Sequence, residues 1–115
     1  MRGTEKALEV ERLATDAAVG VFGLIEGLGA TYRAIGDQAT RAVVSVPLNL
    51  AEGSGRFGRD KVQYYRIAYA SSREASAAVR LLVGLRAVPA ADGERILAML
   101  DSVQAITWKL IFPNR

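Results

Sequence analysis

The sequence predicts an all-α protein: an antiparallel up-down four-helix bundle with a long third helix and a second helix kinked at a proline. Three observations lead there. Apolar residues recur at three- and four-residue steps along four segments, and no segment alternates as a strand does. Only three prolines interrupt the 115 residues. The breaks between periodic segments are short and marked by glycine or proline, which suits neighbouring helices that run antiparallel. A chain of this length makes one domain, residues 1–115, and is too short for two.

The first helix is predicted from about Glu5 to Leu28, with Val10, Leu13, Ala17, Val21, Leu24 and Leu28 on one face and Glu9, Arg12 and Asp16 on another. Gly20, Gly23 and Gly27 each weaken a helix by about 1 kcal/mol relative to Ala. They read either as a poor helix end or as points of close approach to a neighbour. Residues 27–36 form the connection, and Asp37 is the expected N-cap of a second helix over about 37 to 52. Its apolar face is Ala39, Val43, Val46 and Leu50, and Pro47 inside it removes one backbone bond and predicts the kink. A glycine-rich stretch, Gly53 to Gly58, ends it. The third helix is predicted over about Arg59–Arg86, with Tyr64, Ile67, Ser71, Ala75, Ala78, Leu82 and Leu85 inward, and Val88-Pro89 stopping it. At about 1.5 Å per residue it is about 42 Å long. That length implies a rod-like protomer whose flanks favour side-by-side association. The fourth helix, about Ala91–Ile111, carries a seam of Ile96, Leu100, Val103, Thr107 and Leu110, flanked by Leu97 and Ile111, and stops at Pro113.

Composition narrows the chemistry. There is no Cys, so there are no disulfides, thiolate metal sites or Cys nucleophiles. There is no His, which argues against the common hydrolase and zinc or iron designs. No catalytic constellation appears, because Glu52 and Glu74 have no nucleophile or metal cluster beside them. A non-enzyme is therefore expected, with no cofactor, no metal and no small-molecule substrate. No apolar run approaches the roughly 20 residues that span a bilayer. The acidic, short-run N-terminus from Met1 does not read as a signal peptide. A cytoplasmic protein with no membrane partner is expected.

Charge is uneven. Residues 54–87 hold seven basic and two acidic residues, a net of +5, while residues 1–53 net −2. Within the basic segment Arg59, Arg66, Arg73 and Arg80 stand seven apart, so successive residues drift by only about 20° around the helix. The stripe is about 32 Å long and is bordered by Val62, Tyr65 and Tyr69. Guanidinium forks suit phosphates, and rings stack on unpaired bases, which makes the stripe a candidate nucleic-acid surface with Arg56 contributing. The alternatives are a solvated face, or a seam pairing with acidic residues of the first helix or another subunit. On the second helix Gln38, Arg41, Ser45, Asn49 and Glu52 form a polar ridge that reads as a binding surface or as an interhelical network. Gly53-Ser54-Gly55-Arg56-Phe57-Gly58 matches G-x-G-x-x-G in letters, but a helix rather than a strand precedes it, so the dinucleotide reading is rejected. What remains is a helix terminator, or a loop that holds a phosphate with Arg56 and the first N–H groups of the third helix. The lone Trp108 reads as packing.

Arg41-Ala42-Val43-Val44-Ser45-Val46-Pro47-Leu48-Asn49-Leu50-Ala51-Glu52-Gly53 resembles the R-A-x-x-S-[IV]-P-x-N-[IL]-A-E-G signature of the four-helix-bundle family encoded by intervening sequences in bacterial 23S ribosomal RNA genes. Arg66-Ile67-Ala68-Tyr69-Ala70-Ser71-Ser72-Arg73-Glu74 is similar to that family's R-I-A-x-x-S-x-x-E segment, in the expected order across the same glycine-rich turn. The likeness extends over about residues 8 to 111. The first helix lacks the family's aromatic-rich opening, and the first connection lacks its F-P-x-x-E pattern. The resemblance implies a bacterial four-helix bundle that forms a homo-oligomer. Similar proteins, including the accessory protein of diversity-generating retroelements, form ring-like pentamers. It also implies association with RNA or with a reverse transcriptase, and brings no settled activity. It assigns Arg41, Ser45, Pro47, Asn49, Glu52 and Gly53, with Ser71 or Glu74 as partners, a structural role: holding the second and third helices in register around Pro47.

Overall fold

The computed structural model describes residues 2–114, with side chains from Glu5 onward. Met1, read above in the N-terminal segment, and Arg115 lie outside the described residues. Four helices follow one another: α1 (Arg2–Ile25), α2 (Arg33–Ser54), α3 (Gly58–Gly84) and α4 (Ala90–Ile111), with one turn of 3-10 helix at Ala30–Tyr32. No strand occurs among the described residues.

The connections decide the topology. Between Ser54 and Gly58 the chain can reach about 14 Å, far less than the roughly 40 Å length of α3. Each helix therefore returns alongside its predecessor. Ser45 of α2 meets Ser71 of α3, Gln104 of α4 meets Ser76 of α3, and Gly20 of α1 lies against Ile96 of α4. The four helices pack as a ring of neighbours, with α1 diagonal to α3. The bundle measures 44 × 21 × 20 Å, the rod expected from helix length.

The core follows the heptad positions closely. Near the α1–α2 connection Ala17, Val21, Ala39, Val43, Ala75, Val79, Ile96 and Leu100 pack together. Towards the other end Val10, Ala14, Val46, Leu50, Tyr65, Ala68, Val103 and Ile111 form a second cluster. Between them buried Ser72 donates to the Tyr69 carbonyl, and Gln104 Nε2 donates to Ser76 Oγ at 3.0 Å. Ser72, Ser76 and Gln104 are thus partnered, whereas the buried Thr107 Oγ1 one turn along α4 has no hydrogen-bond partner among the described residues.

Three sequence expectations need correction. Asp37 is not an N-cap: α2 begins at Arg33, a turn earlier, and Tyr32 occupies the cap position without a side-chain bond. Gly36 looked like a break, but it sits inside the helix because its missing Cβ makes room for Leu28, which a methyl would meet at 2.8 Å. The inner face of α3 is also rotated by one residue in its first half. Tyr65, Ala68 and Ser72 are buried there, not Tyr64, Ile67 and Ser71, while Ala75, Ala78 and Leu82 stand as expected. The seam has filled with small residues so that α3 lies close to its neighbours, and the larger Ile67 is left outside. Finally, α3 ends at Gly84, before the turn attributed to Pro89. Arg86 adopts φ 58°, and the bonds Ala87 N–H to Leu82 O and Arg86 N–H to Val83 O close a Schellman motif.

Candidate functional site

The rotation of α3 repositions the arginine row. Arg66, Arg73 and Arg80 each follow a buried residue, Tyr65, Ser72 and Val79, by one position, so they lie about 100° round the helix from it on the shoulder facing α4, and Arg59 continues the row at the start of α3. All four are exposed. Among the described residues none forms an ion pair or a hydrogen bond. Pairing with acidic residues of the first helix within the chain is excluded, because α1 lies diagonally across the bundle. Of the aromatics expected beside the stripe, Tyr65 points inward and is 3% exposed, while Tyr69 is half-buried.

Arg56 sits apart from this row. Its Nη2 lies 2.8 Å from Glu52 Oε2, its Nη1 donates to Asp60 Oδ2 at 2.9 Å, and its guanidinium covers the Tyr64 ring at 5.1 Å. Hydrogen bonds to Glu52 and then Asp60 raise its pKa still further above its ordinary value. The side chain thus joins the end of α2 to the first turn of α3 across Gly55–Phe57. A phosphate at this loop would have to displace two carboxylates.

The polar ridge of α2 divides. Ser45 Oγ and Ser71 Oγ lie 2.8 Å apart, and Asn49 Nδ2 donates to the Ser45 carbonyl at 2.8 Å and to Ser45 Oγ at 3.0 Å. These bonds flank Pro47, which has no N–H to give to the carbonyl four residues back. Glu52 is held by Arg56. Arg41, Gln38 and Glu74 are exposed, and Glu74 takes no part in the network, so of the two partners expected for the ridge the structure selects Ser71. Gly53 completes the motif: a Cβ there would meet Tyr65 Cε1 at 2.8 Å.

Two features escaped sequence reasoning. Trp108 is 43% exposed and meets Tyr69 across the α3–α4 groove, with ring centroids 5.5 Å apart, and Phe112 stands 4.6 Å beyond. Its position one residue after buried Thr107 was the available signal. On the other flank of α3, Ile67, Leu81 and Leu85 are 38%, 49% and 44% exposed. No group of three His, Cys, Asp or Glu able to hold a metal ion occurs among the described residues. Nor is any helix there long and apolar enough to cross a membrane.

Comparison with known proteins agrees with the fold. A family model described as 23S rRNA-intervening sequence protein matches residues 6–109. A protein of unknown function from the S23 ribosomal protein family of Bacteroides thetaiotaomicron VPI-5482 has a similar solved structure. Its TM-score is 0.84 at 19% identity, over 93% of this chain and 98% of the other. Among curated proteins none matches the chain.

Proposed function

Because this chain belongs to the 23S rRNA-intervening sequence protein family, we propose that it is a non-enzymatic, self-associating bundle that binds RNA, or nucleic acid more widely, through Arg59, Arg66, Arg73 and Arg80. One observation carries the reading: four exposed guanidiniums stand in line along one shoulder with no partner inside the described chain. Arginine forks bind phosphate oxygens in pairs, and phosphate contacts carry no base identity. Binding through this row is therefore tolerant of sequence. Arg56 contributes only by giving up Glu52 and Asp60.

Salt provides the test. Four phosphates contacted on a single strand give a log–log slope of binding against salt of about −0.7 × 4, near −3. Fluorescence anisotropy of a labelled RNA should show that slope with the unaltered protein and a much flatter one after all four arginines are changed to Gln. Binding that survives the change with its slope intact would refute the assignment.

A second reading has its own support. Exposed Ile67, Leu81 and Leu85 make an apolar flank suited to protein contact, so a scaffolding bundle with no nucleic-acid role is the rival. On that reading the arginine changes break an assembly, seen as a lower mass by light scattering, and RNA binding is absent from the start.

A further inference from the structure

The basic stripe has an aromatic neighbour that only the packing of α3 on α4 creates. Tyr69 lies between Arg66 and Arg73, three residues after one and four before the other, so its ring shares their stretch of helix surface. Trp108 of α4 closes on it at 5.5 Å with planes tilted by 52°. A packing residue would bury its large rings, since burial is what makes an aromatic stabilising. Trp108 instead keeps 43% of its surface exposed, while Phe112 at 4.6 Å and Tyr69 at 5.5 Å, both tilted against it, brace the ring. Next to it Lys109 is exposed. The result is a braced, amphipathic ring beside exposed cations.

Resting on the nucleic-acid reading above, we propose that Tyr69 and Trp108 form a stacking platform for the bases of a single strand, with Arg66 and Arg73 holding the phosphates on either side. The ligand class is thereby narrowed to unpaired nucleic acid. In a duplex the bases are already stacked on one another and cannot reach a ring at the groove edge, whereas every unpaired base offers a face. The platform also gives the stripe a preferred end. Glu94 and Asp101 precede Trp108 at seven-residue steps on the same line of α4, so acidic charge borders the stripe away from the rings and towards Arg80.

Trp108 is the only tryptophan, which makes it the reporter. A 12-nucleotide oligouridylate titrated into the full chain should bind and quench its emission. A strand of equal length with an intact ribose-phosphate backbone but no bases should bind about ten-fold more weakly without the quench, and an RNA duplex of equal length should behave like the abasic strand. Trp108→Leu should reduce affinity for oligouridylate roughly ten-fold and leave the abasic strand unaffected, while Trp108→Phe restores most of the loss. Equal affinity for base-bearing and abasic strands, with Trp108 emission unchanged, overturns the platform and leaves the stripe standing. No binding of any strand at low salt overturns both. The abasic comparison uses the unaltered protein, so it holds even where a variant folds poorly.

Discussion

Single residues here carry costs that the rest of the fold absorbs. Arg86 occupies the left-handed region at the C-terminus of α3, where a side chain is strained and glycine is usual. Arg86→Gly should raise stability by about 0.5–1 kcal/mol, or a few degrees in Tm, in a thermal melt. Tyr65 shows how burial sets chemistry. Its ring is almost fully enclosed, and burial, then the negative charge of Glu11, lift its hydroxyl above the ordinary pKa of 10.0. The folded state therefore favours the protonated form. Its contribution to stability is complete below pH 10 and is lost as pH rises through the folded-state value. Urea midpoints should fall above pH 10, and Tyr65→Phe should make that fall shallower. The lifted pKa follows from the α3 rotation, so neither could be read from Tyr65's sequence neighbours.

At the scale of elements, glycines separate close approach from open space. A Cβ at Gly53 would meet the Tyr65 ring at 2.8 Å and one at Gly20 would meet Ile96 Cγ1 at 3.1 Å, whereas one at Gly23 would meet nothing within 4 Å. Gly53→Ala should therefore destabilise by about 1–3 kcal/mol, because a ring wedged between helices has little room to retreat. Gly23→Ala should stabilise by up to about 1 kcal/mol through helix propensity alone. Chemical denaturation of both variants checks the contrast, and equal effects would contradict it. The close-contact expectation for Gly20, Gly23 and Gly27 thus holds only for Gly20. Apolar spacing made the inner faces of α2 and α4 legible. On α3 it was misleading, since Tyr64, Ile67 and Leu85 outweighed the small residues that actually line the seam.

Across the whole molecule, Glu5, Glu9 and Asp16 lie on the exposed face of α1, diagonally opposite the basic row of α3, while Glu94 and Asp101 of α4 lie nearer that row. If the apolar flank of α3 joins copies, replacing Ile67 and Leu81 with Gln should lower the mass measured by light scattering. RNA affinity should fall with it through lost avidity, although every arginine remains. An unchanged mass would place self-association elsewhere.

The sequence by itself determined the helical class, the number of helices, most of their ends and the local charge, because these depend on spacing along one chain. The motif around Pro47 was legible for the same reason. Only the tertiary structure decided which serine of α3 meets Ser45, that the arginine row turns towards α4, and that Tyr69 and Trp108 come together from positions 39 residues apart. Those outcomes depend on the rotation of one helix against another. That rotation is set by how small side chains let helices approach, which a single helix's hydrophobic pattern does not record.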